Sequence, residues 1–367
     1  MRVAVCATVA AIALYAHPAA AQGDRAAAAF WKHVQSACDA TAAKPANDIG
    51  RRIAQTAIDE FLSFGGHRID SNGRIFRFGL TEAEHEEDDG GDARASLGHL
   101  GWWQVMKYWR ALFDNDPADK LEVRGYQDAS TGTEGTQSAA VLRTSAAKLL
   151  SLAEQVSDPE EREILREAAF RAAIVDTSWS AAFISYVVKQ SGADADAFRF
   201  ANAHRAYIYD AFATSAAEQN GAAGARIYRA CPLATKPRVG DMICAQREPA
   251  LAEASEEAVR ERVRGEVDAG PDARTVRRTH CEVVAYIDAG ARKMYTIGGN
   301  VNQAVTARKL NLRRDGRFFP GAQKGSCNGS AQWTLPQPAA ATRAHAPGAH
   351  EKCSLNDKKW FVLLQLR

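Results

Sequence analysis

The hydrophobic pattern of this chain changes its period once, and that change restricts the fold more than any other feature. Apolar residues recur mostly at helical spacing up to about Gly224, and at the spacing of short strands after it. Strands are predicted over residues 226–230, 241–246, 280–288, 293–298, 305–312 and 360–366. Helices followed by mostly antiparallel strands indicate an α+β domain. The sequence lacks the βαβ alternation and Gly-rich phosphate loops of nucleotide-binding folds.

Turn-forming segments divide the helical part of the chain. Helices are predicted over residues 26–43, 49–62, 97–113, 138–156, 159–174 and 179–190, with Asp158 as the N-cap of the fifth. A strand-like piece is expected at 72–78, and a Gly/Thr/Ser-rich loop at 124–137. We divide the chain into a signal segment 1–21, a helical N-terminal region 22–150 and an α+β domain 151–367, with a charged insertion at 248–274 and a flexible loop at 338–350.

The N-terminus has the layout of a cleavable secretory signal. Arg2 precedes an apolar run over residues 3–16, and the small residues Ala19-Ala20-Ala21 precede Gln22, where cleavage is expected. The run is shorter than the roughly 20 residues that a membrane-spanning helix needs. We therefore predict a periplasmic or secreted protein without a transmembrane segment.

Six cysteines remain after removal of this signal, which takes Cys6 with it: Cys38, Cys231, Cys244, Cys281, Cys327 and Cys353. An even number in an exported chain predicts up to three disulfides. The sequence leaves their pairing open; we favour Cys327 with Cys353, which would close the Pro/Ala-rich segment between them. There is no Cys-x-x-Cys pair to indicate zinc, and 46 basic against 44 acidic residues give no sign of a nucleic-acid partner.

Ser180 is the candidate nucleophile. Ser178 suits the N-cap of the helix predicted from Trp179, which would place Ser180 in the first turn. Free backbone N–H groups and the helix dipole favour developing negative charge there. The alternative is that both serines only cap the helix.

His280 and Asn300 are the candidate partners of this serine. A three-residue connection over 289–291 would join their two strands as a hairpin and set His280 directly opposite Asn300. The asparagine could then orient the imidazole while the other ring nitrogen faces the nucleophile. The alternatives are a strand-end histidine in solvent and a turn asparagine after Gly298-Gly299.

Five motifs in a fixed order carry a resemblance to a known family. They are Trp179-Ser180-Ala181-Ala182-Phe183-Ile184-Ser185, Ala203-His204-Arg205-Ala206-Tyr207-Ile208, Gly240-Asp241-Met242-Ile243-Cys244, His280-Cys281-Glu282-Val283-Val284 and Gly298-Gly299-Asn300-Val301. Together they resemble the bacterial family called domain of unknown function 2272. Weaker similarity extends from about Ile49 to the C-terminus.

This family in turn resembles the NlpC-like and CHAP-like hydrolases of the papain-like superfamily, which cut amide bonds of cell-wall peptides. The resemblance implies a papain-like α+β fold, with an antiparallel sheet, a helix that carries the nucleophile position and a helical N-terminal subdomain. It assigns the nucleophile to Ser180, the base to His280 and the orienting role to Asn300. Trp179, His204 and Asp241 are further cleft candidates. No cofactor or metal is expected.

The chain departs from the superfamily at Ser180, where those enzymes have a cysteine. A serine hydroxyl is far less acidic than a thiol and must lose its proton to the base during attack. The sequence is therefore interpreted first as an exported hydrolase of an amide bond in the cell envelope, with a peptidoglycan-type substrate. The alternatives are a catalytically inactive envelope-binding module and a secreted toxin.

Three other groups of residues receive structural interpretations. The acidic run 82–92 is expected to be a solvated loop, because its spacing matches neither a zinc helix nor a calcium loop. Trp102 and Trp109 are seven residues apart on one helix face, which is typical of core packing. Cys281 should face away from the side that His280 serves, so core or disulfide roles are predicted for it and for Cys244.

Overall fold

The structure is a computed structural model. It describes residues 18–83, 101–114, 116–128, 139–222, 226–323, 333–336, 343–344 and 353–367. Eight α-helices lie in these residues: α1 Pro18–Ala42, α2 Asp48–Ser63, α3 Gly101–Leu112, α4 Ala146–Ala153, α5 Pro159–Asp176, α6 Ser180–Gln190, α7 His204–Gln219 and α8 Glu256–Gly265.

Eleven strands lie in the same described residues. They are β1 His67–Ile69, β2 Ile75–Phe78, β3 Glu122–Asp128, β4 Ala139–Ser145, β5 Tyr228–Cys231, β6 Met242–Gln246, β7 Thr279–Asp288, β8 Lys293–Val301, β9 Ala304–Asn311, β10 Arg343–Ala344 and β11 Trp360–Leu366. Nine of them form one sheet in the order β10-β2-β1-β9-β8-β7-β6-β11-β5, and β3 pairs with β4 separately.

The large sheet is mixed rather than wholly antiparallel. Its neighbours are antiparallel except for β1 and β9, which run parallel. The prediction of an α+β architecture is confirmed at this level. All six strands predicted after Gly224 are present, and most of them contain the β-branched or aromatic residues that favour strands.

Two local predictions in the first half of the chain are wrong in part. Residues 124–128 of the predicted loop and 139–145 of the predicted helix 138–156 belong to the antiparallel strands β3 and β4, whereas residues 129–138 lie outside the described residues. Arg143 lies opposite Arg124 in this pair of strands, and its side chain reaches diagonally to Glu122 in an ion pair at 2.8 Å. The helix begins only after Ser145, whose hydroxyl accepts from the Lys148 N–H. Strand β1 was not predicted because three residues carry no periodicity of their own.

Helices α2, α3, α6 and α7 supply most of the core on one face of the sheet. Trp109, Trp179, Phe183 and Phe212 are fully buried in that cluster. A smaller cluster on the other face includes Phe30 from α1 and Trp360 from β11. The core role predicted for Trp102 and Trp109 is confirmed by their burial.

Two disulfides with both partners described connect distant parts of the chain. Cys38–Cys231 joins α1 to β5, and Cys244–Cys281 joins the neighbouring strands β6 and β7. The prediction for Cys244 and Cys281 is confirmed. Cys353 is also disulfide-bonded, and its predicted partner Cys327 lies outside the described residues.

Disulfides of this kind fit a protein that folds in an oxidising, extracytoplasmic compartment. Residues 1–17 of the predicted signal, the predicted loop 338–350 except for β10, and residues 84–92 of the acidic run lie outside the described residues. Among the described helices, none combines the length and the apolar character required to cross a membrane.

Candidate functional site

Ser180 is the first residue of α6 and is buried, with 7% of its surface exposed. The N-cap is Trp179, which makes no side-chain capping bond, so the prediction that Ser178 caps this helix is wrong. Ser178 is exposed. The serine that could be a nucleophile is thus the buried one, at a helix start whose first backbone N–H groups have no partner within the helix.

His204, the first residue of α7, is the polar partner of Ser180. Its Nε2 lies 2.7 Å from Ser180 Oγ, and the imidazole is 4% exposed. This contact joins the starts of two helices that are 24 residues apart in the chain. The structure therefore places the cleft candidate His204, rather than His280, in direct contact with the serine.

The hydrogen bonds of His204 fix its tautomer. The backbone N–H of Cys281 donates to Nδ1 at 3.3 Å, and the Tyr207 hydroxyl also contacts this nitrogen. A backbone N–H can only donate, so Nδ1 carries a lone pair. Burial, and then the charges of His280 and Arg247, hold the pKa of His204 well below its usual value, so the ring is neutral. Its proton is therefore on Nε2 and is donated to Ser180 Oγ.

His280 lies beside this pair on β7, with its ring centroid 5.0 Å from that of His204. It is 4% exposed, and within the part of the chain described neither ring nitrogen has a hydrogen-bond partner. Burial lowers the pKa of His280, and the nearby Glu282 only partly opposes this effect. A buried, neutral imidazole whose Nδ1 has no hydrogen-bond partner in the described residues, and whose Nε2 meets only the more distant Glu282, is costly in a native structure, which makes it a candidate for proton transfer.

Glu282 is the nearest carboxylate to His280, with Oε1 3.6 Å from Nε2. It lies two residues further along β7, on the same face of the strand. Arg308 Nε donates to both carboxylate oxygens at 3.1 Å, and the Thr296 hydroxyl donates at 2.5 Å. Burial alone would raise the pKa of Glu282, but Arg308 and His280 lower it far below its usual range. Glu282 is therefore an ionised carboxylate next to His280.

The hairpin that carries Asn300 differs in detail from its prediction. Asp288 pairs with Lys293, so the connection has four residues, and Arg292 takes the left-handed conformation at φ 54°. A bulge between Val284 and Tyr286 shifts the pairing by one residue, to the register predicted from the sequence. The ladder of β7 and β8 ends where Val283 pairs with Ile297. Continued by three residues this register would bring His280 opposite Asn300, which is half-buried at φ 52°.

Two glycines next to Asn300 allow this part of β8 to approach the site. A Cβ atom on Gly298 would lie 3.1 Å from His280 Nε2. One on Gly299 would lie 2.5 Å from the Cβ of Phe183 in α6. Neighbouring strand residues point to opposite faces, so Gly298 leaves no room for a side chain beside His280, and Gly299 leaves none between the sheet and α6.

Trp179 is fully buried, stacks on Phe64 and donates its indole N–H to Glu82. Burial raises the pKa of Glu82 to about 7, although the bond from Trp179 lowers it in part. Glu82 is therefore a buried carboxyl next to the site, and its assignment to a solvated loop is wrong. The described residues contain no group of three or more potential metal ligands.

Asp241 lies away from the two histidines and has a structural environment. Its carboxylate accepts from the backbone N–H groups of Arg238 and Leu366, at 2.8 and 2.9 Å. It thereby joins the start of β6 to the end of β11. A groove of about 390 Å³ near this chain end is lined by Ile227, Arg226 and Arg367, and Ser180 is not part of it.

The fold is mixed α+β, and it brings a buried serine into contact with one histidine whose ring lies beside that of a second. A bacterial family described as uncharacterized protein conserved in bacteria (DUF2272) matches residues 97–366, and the chain belongs to this family. No curated protein and no solved structure compared with the chain matches it. The family match covers α3 to β11 and so includes every site residue named above except Glu82.

The sequence motifs located most of this site but not its contacts. Ser180, His204 and His280 were predicted, whereas Tyr207 and Glu282 were not assigned a role. Both carried a signal: Tyr207 lies one helical turn after His204, and Glu282 lies two residues after His280 on the same strand face.

Proposed function

We propose that this chain is an exported hydrolase that cuts an amide or peptide bond of the cell envelope, with Ser180 as its nucleophile. The observation that carries the proposal is the buried contact between Ser180 and His204. The imidazole of His280, which has no hydrogen bond to the described residues, packs beside the ring of His204. The motif-level resemblance to NlpC-like and CHAP-like hydrolases supports a papain-like site and a peptidoglycan-type substrate. The disulfides support export.

The two histidines have different roles in this proposal. His280 accepts the hydroxyl proton as Ser180 Oγ bonds to the carbonyl carbon, and then returns that proton to the departing amine. Water hydrolyses the resulting ester and restores the serine. His204 donates from Nε2 to Oγ and stabilises the negative charge that develops as the proton leaves. The backbone N–H groups in the first turn of α6 are the candidate donors to the carbonyl oxygen.

His280 must move its ring towards Oγ for this transfer, because the two are not within hydrogen-bond distance at rest. Within the described residues the movement breaks no hydrogen bond of the imidazole. Glu282, held by Arg308, is the candidate that orients and stabilises the charged imidazole. Asn300 keeps its predicted orienting role as a second candidate for the same task.

The test is the digestion of purified peptidoglycan, followed by mass spectrometry of new amine termini. The wild-type protein should release them, and Ser180→Ala and His280→Ala should reduce the rate by about a hundredfold or more. The matched control is Ser178→Ala, a neighbouring exposed serine whose loss should change nothing. Unchanged turnover in Ser180→Ala or His280→Ala would show that these residues are not the catalytic pair.

A binding module without catalysis is the second candidate function. The tautomer of His204 favours it, because a ring that donates to Ser180 cannot accept the proton of that hydroxyl. In this case envelope fragments bind but no product forms over long incubation. Cutting by Ser180→Cys alone would identify a preserved cleft that has lost its thiol.

A further inference from the structure

A positive side chain, Arg247, lies near His280 at the end of the sheet where β7 begins. Ala245 of β6 pairs with His280 of β7, and Arg247 follows two residues later, beyond the end of β6. Side chains two residues apart on an extended strand share a face, so Arg247 lies on the face of His280. The Arg247 N–H donates to the Arg278 carbonyl at 2.6 Å, which continues the pairing of the two strands past His280.

Lys358 supplies the second charge from the neighbouring strand. It precedes β11, and the carbonyl of the next residue, Lys359, accepts from the Gln246 N–H. Desolvation lowers the pKa of Lys358, and the positive charges of Arg308 and Arg247 lower it further. Gln246 and Lys359 are hydrogen-bonded neighbours on antiparallel segments, so Arg247 and Lys358 occupy the next neighbouring positions, and we call them the cationic pair.

The cationic pair makes no ion pair within the described residues. Burial lowers the pKa of both side chains, although Glu282 is near enough to raise it in part. Neither side chain forms an ion pair or hydrogen bond with any residue that the structure describes. Glu282 is nearby, but Arg308 and Thr296 already bind it. The Glu248 carboxylate accepts from the backbone N–H groups of Arg277 and Arg278. Excess positive charge therefore remains beside the buried imidazole, and Arg247 is exposed to solvent.

We infer that the cationic pair binds a carboxylate of the ligand next to the bond that Ser180 attacks, so that the substrate is an acidic peptide. The planar guanidinium of Arg247 suits the two oxygens of a carboxylate, and Lys358 adds a point charge beside it. Such an anion would relieve the repulsion within the pair. The inference deepens the proposed function and rests on it for the identity of the reaction.

The test measures binding without turnover, in the Ser180→Ala background, by titration calorimetry. The probes are the peptide Ala-Glu-Ala-Ala with free carboxylates and its uncharged counterpart Ala-Gln-Ala-Ala amide. The acidic peptide should bind about tenfold more tightly. Arg247→Gln and Lys358→Gln should each reduce this preference about two- to threefold, in line with one exposed charge contact each. The preference should also weaken with added salt.

The matched control is Arg314→Gln. Arg314 is exposed and follows Asn311, which pairs with Lys293 at the opposite end of the sheet from His280. Equal affinity for the two peptides, or an effect of Arg314→Gln as large as that of Arg247→Gln, would overturn the inference. Displacement of the peptide by an equal concentration of inorganic phosphate would overturn the choice of a carboxylate.

Turnover separates this inference from the proposed function. If the wild-type protein cuts no peptide but the charge preference depends on the cationic pair, the hydrolase proposal fails and the carboxylate site stands. If the wild-type protein cuts acidic and amidated peptides at equal rates, the inference fails and the hydrolase proposal stands.

Discussion

At the residue scale, burial controls the charge of every ionisable group around Ser180. It keeps His204 and His280 neutral, and it raises the pKa of Glu82 to about 7. Only Glu282 departs from this pattern, because Arg308 outweighs its desolvation. The site thus contains a serine, two neutral imidazoles and one fixed negative charge.

The pH dependence of activity should reflect the lowered pKa of His280. Because burial lowers this pKa below the ordinary 6.5, the imidazole stays neutral and able to accept a proton in mildly acidic solution. The acidic limb of kcat/KM should therefore lie below pH 6.5. A midpoint above pH 6.5 would contradict the role of His280 as a buried, neutral base.

The stability contributed by Glu82 should fall as the pH rises, whereas the activity that depends on His280 should rise. Its folded-state pKa of about 7 exceeds the ordinary 4.5, so its contribution is complete below pH 4.5 and is lost as the pH rises through 7. The Glu82→Gln variant keeps an acceptor for Trp179 but does not titrate. Between pH 4 and pH 8 the wild type should lose about 2–3 kcal/mol of unfolding free energy relative to this variant. A constant difference in chemical denaturation would contradict the assignment.

At the scale of elements, the site depends on how closely α6 approaches β8. The sequence signals for this site were strong. They were the helix start at Ser180, the histidine at the start of a predicted strand, and the glycine pair Gly298-Gly299. The contacts between elements could not be predicted in the same way. The hydrogen bond from His204 to Ser180 depends on where α6 and α7 each pack on β7, and the parallel pairing of β1 with β9 joins segments far apart in sequence.

Replacement of Gly299 should separate these two elements. The new Cβ of Gly299→Ala would lie 2.5 Å from the Cβ of Phe183, so either the strand or the helix must shift. Overpacking of this kind costs about 1–3 kcal/mol of unfolding free energy. Gly270→Ala is the control, since nothing lies within 4 Å of its added carbon. Equal melting temperatures for the two variants would contradict the close packing.

The Cys244–Cys281 disulfide should support both the sheet and the site. It closes a loop with a sequence separation of 37 and carries the backbone N–H that binds His204. Loss of a cross-link of this length costs about 4 kcal/mol in the chain-entropy account. The Cys244→Ala/Cys281→Ala double variant should unfold at lower denaturant concentration. An unchanged midpoint would contradict the expected stabilisation.

At the scale of the whole molecule, the fold class could be predicted because the change of period near Gly224 separates helices from strands. The topology could not, because short strands such as β1 and β10 join the sheet through tertiary pairing. The order of the motifs along the chain identified the family, whereas the roles of the two histidines required their geometry.

Export predicts the N-terminus of the mature chain. The small residues Ala19-Ala20-Ala21 precede the expected cleavage site, so protein recovered from a bacterial periplasm or medium should begin at or near Gln22. Mass spectrometry of the intact protein measures this directly. A chain that still begins at Met1 would contradict the signal.

The central claim is that Ser180 is a nucleophile that His280 activates. The most direct measurement is mass spectrometry of the protein after exposure to a small activated phosphonate, which forms a stable adduct with such a serine. One adduct is expected, located on Ser180, that is lost in His280→Ala and retained in Ser178→Ala. A folded wild-type protein without an adduct on Ser180, or an adduct that forms equally in His280→Ala, would contradict it.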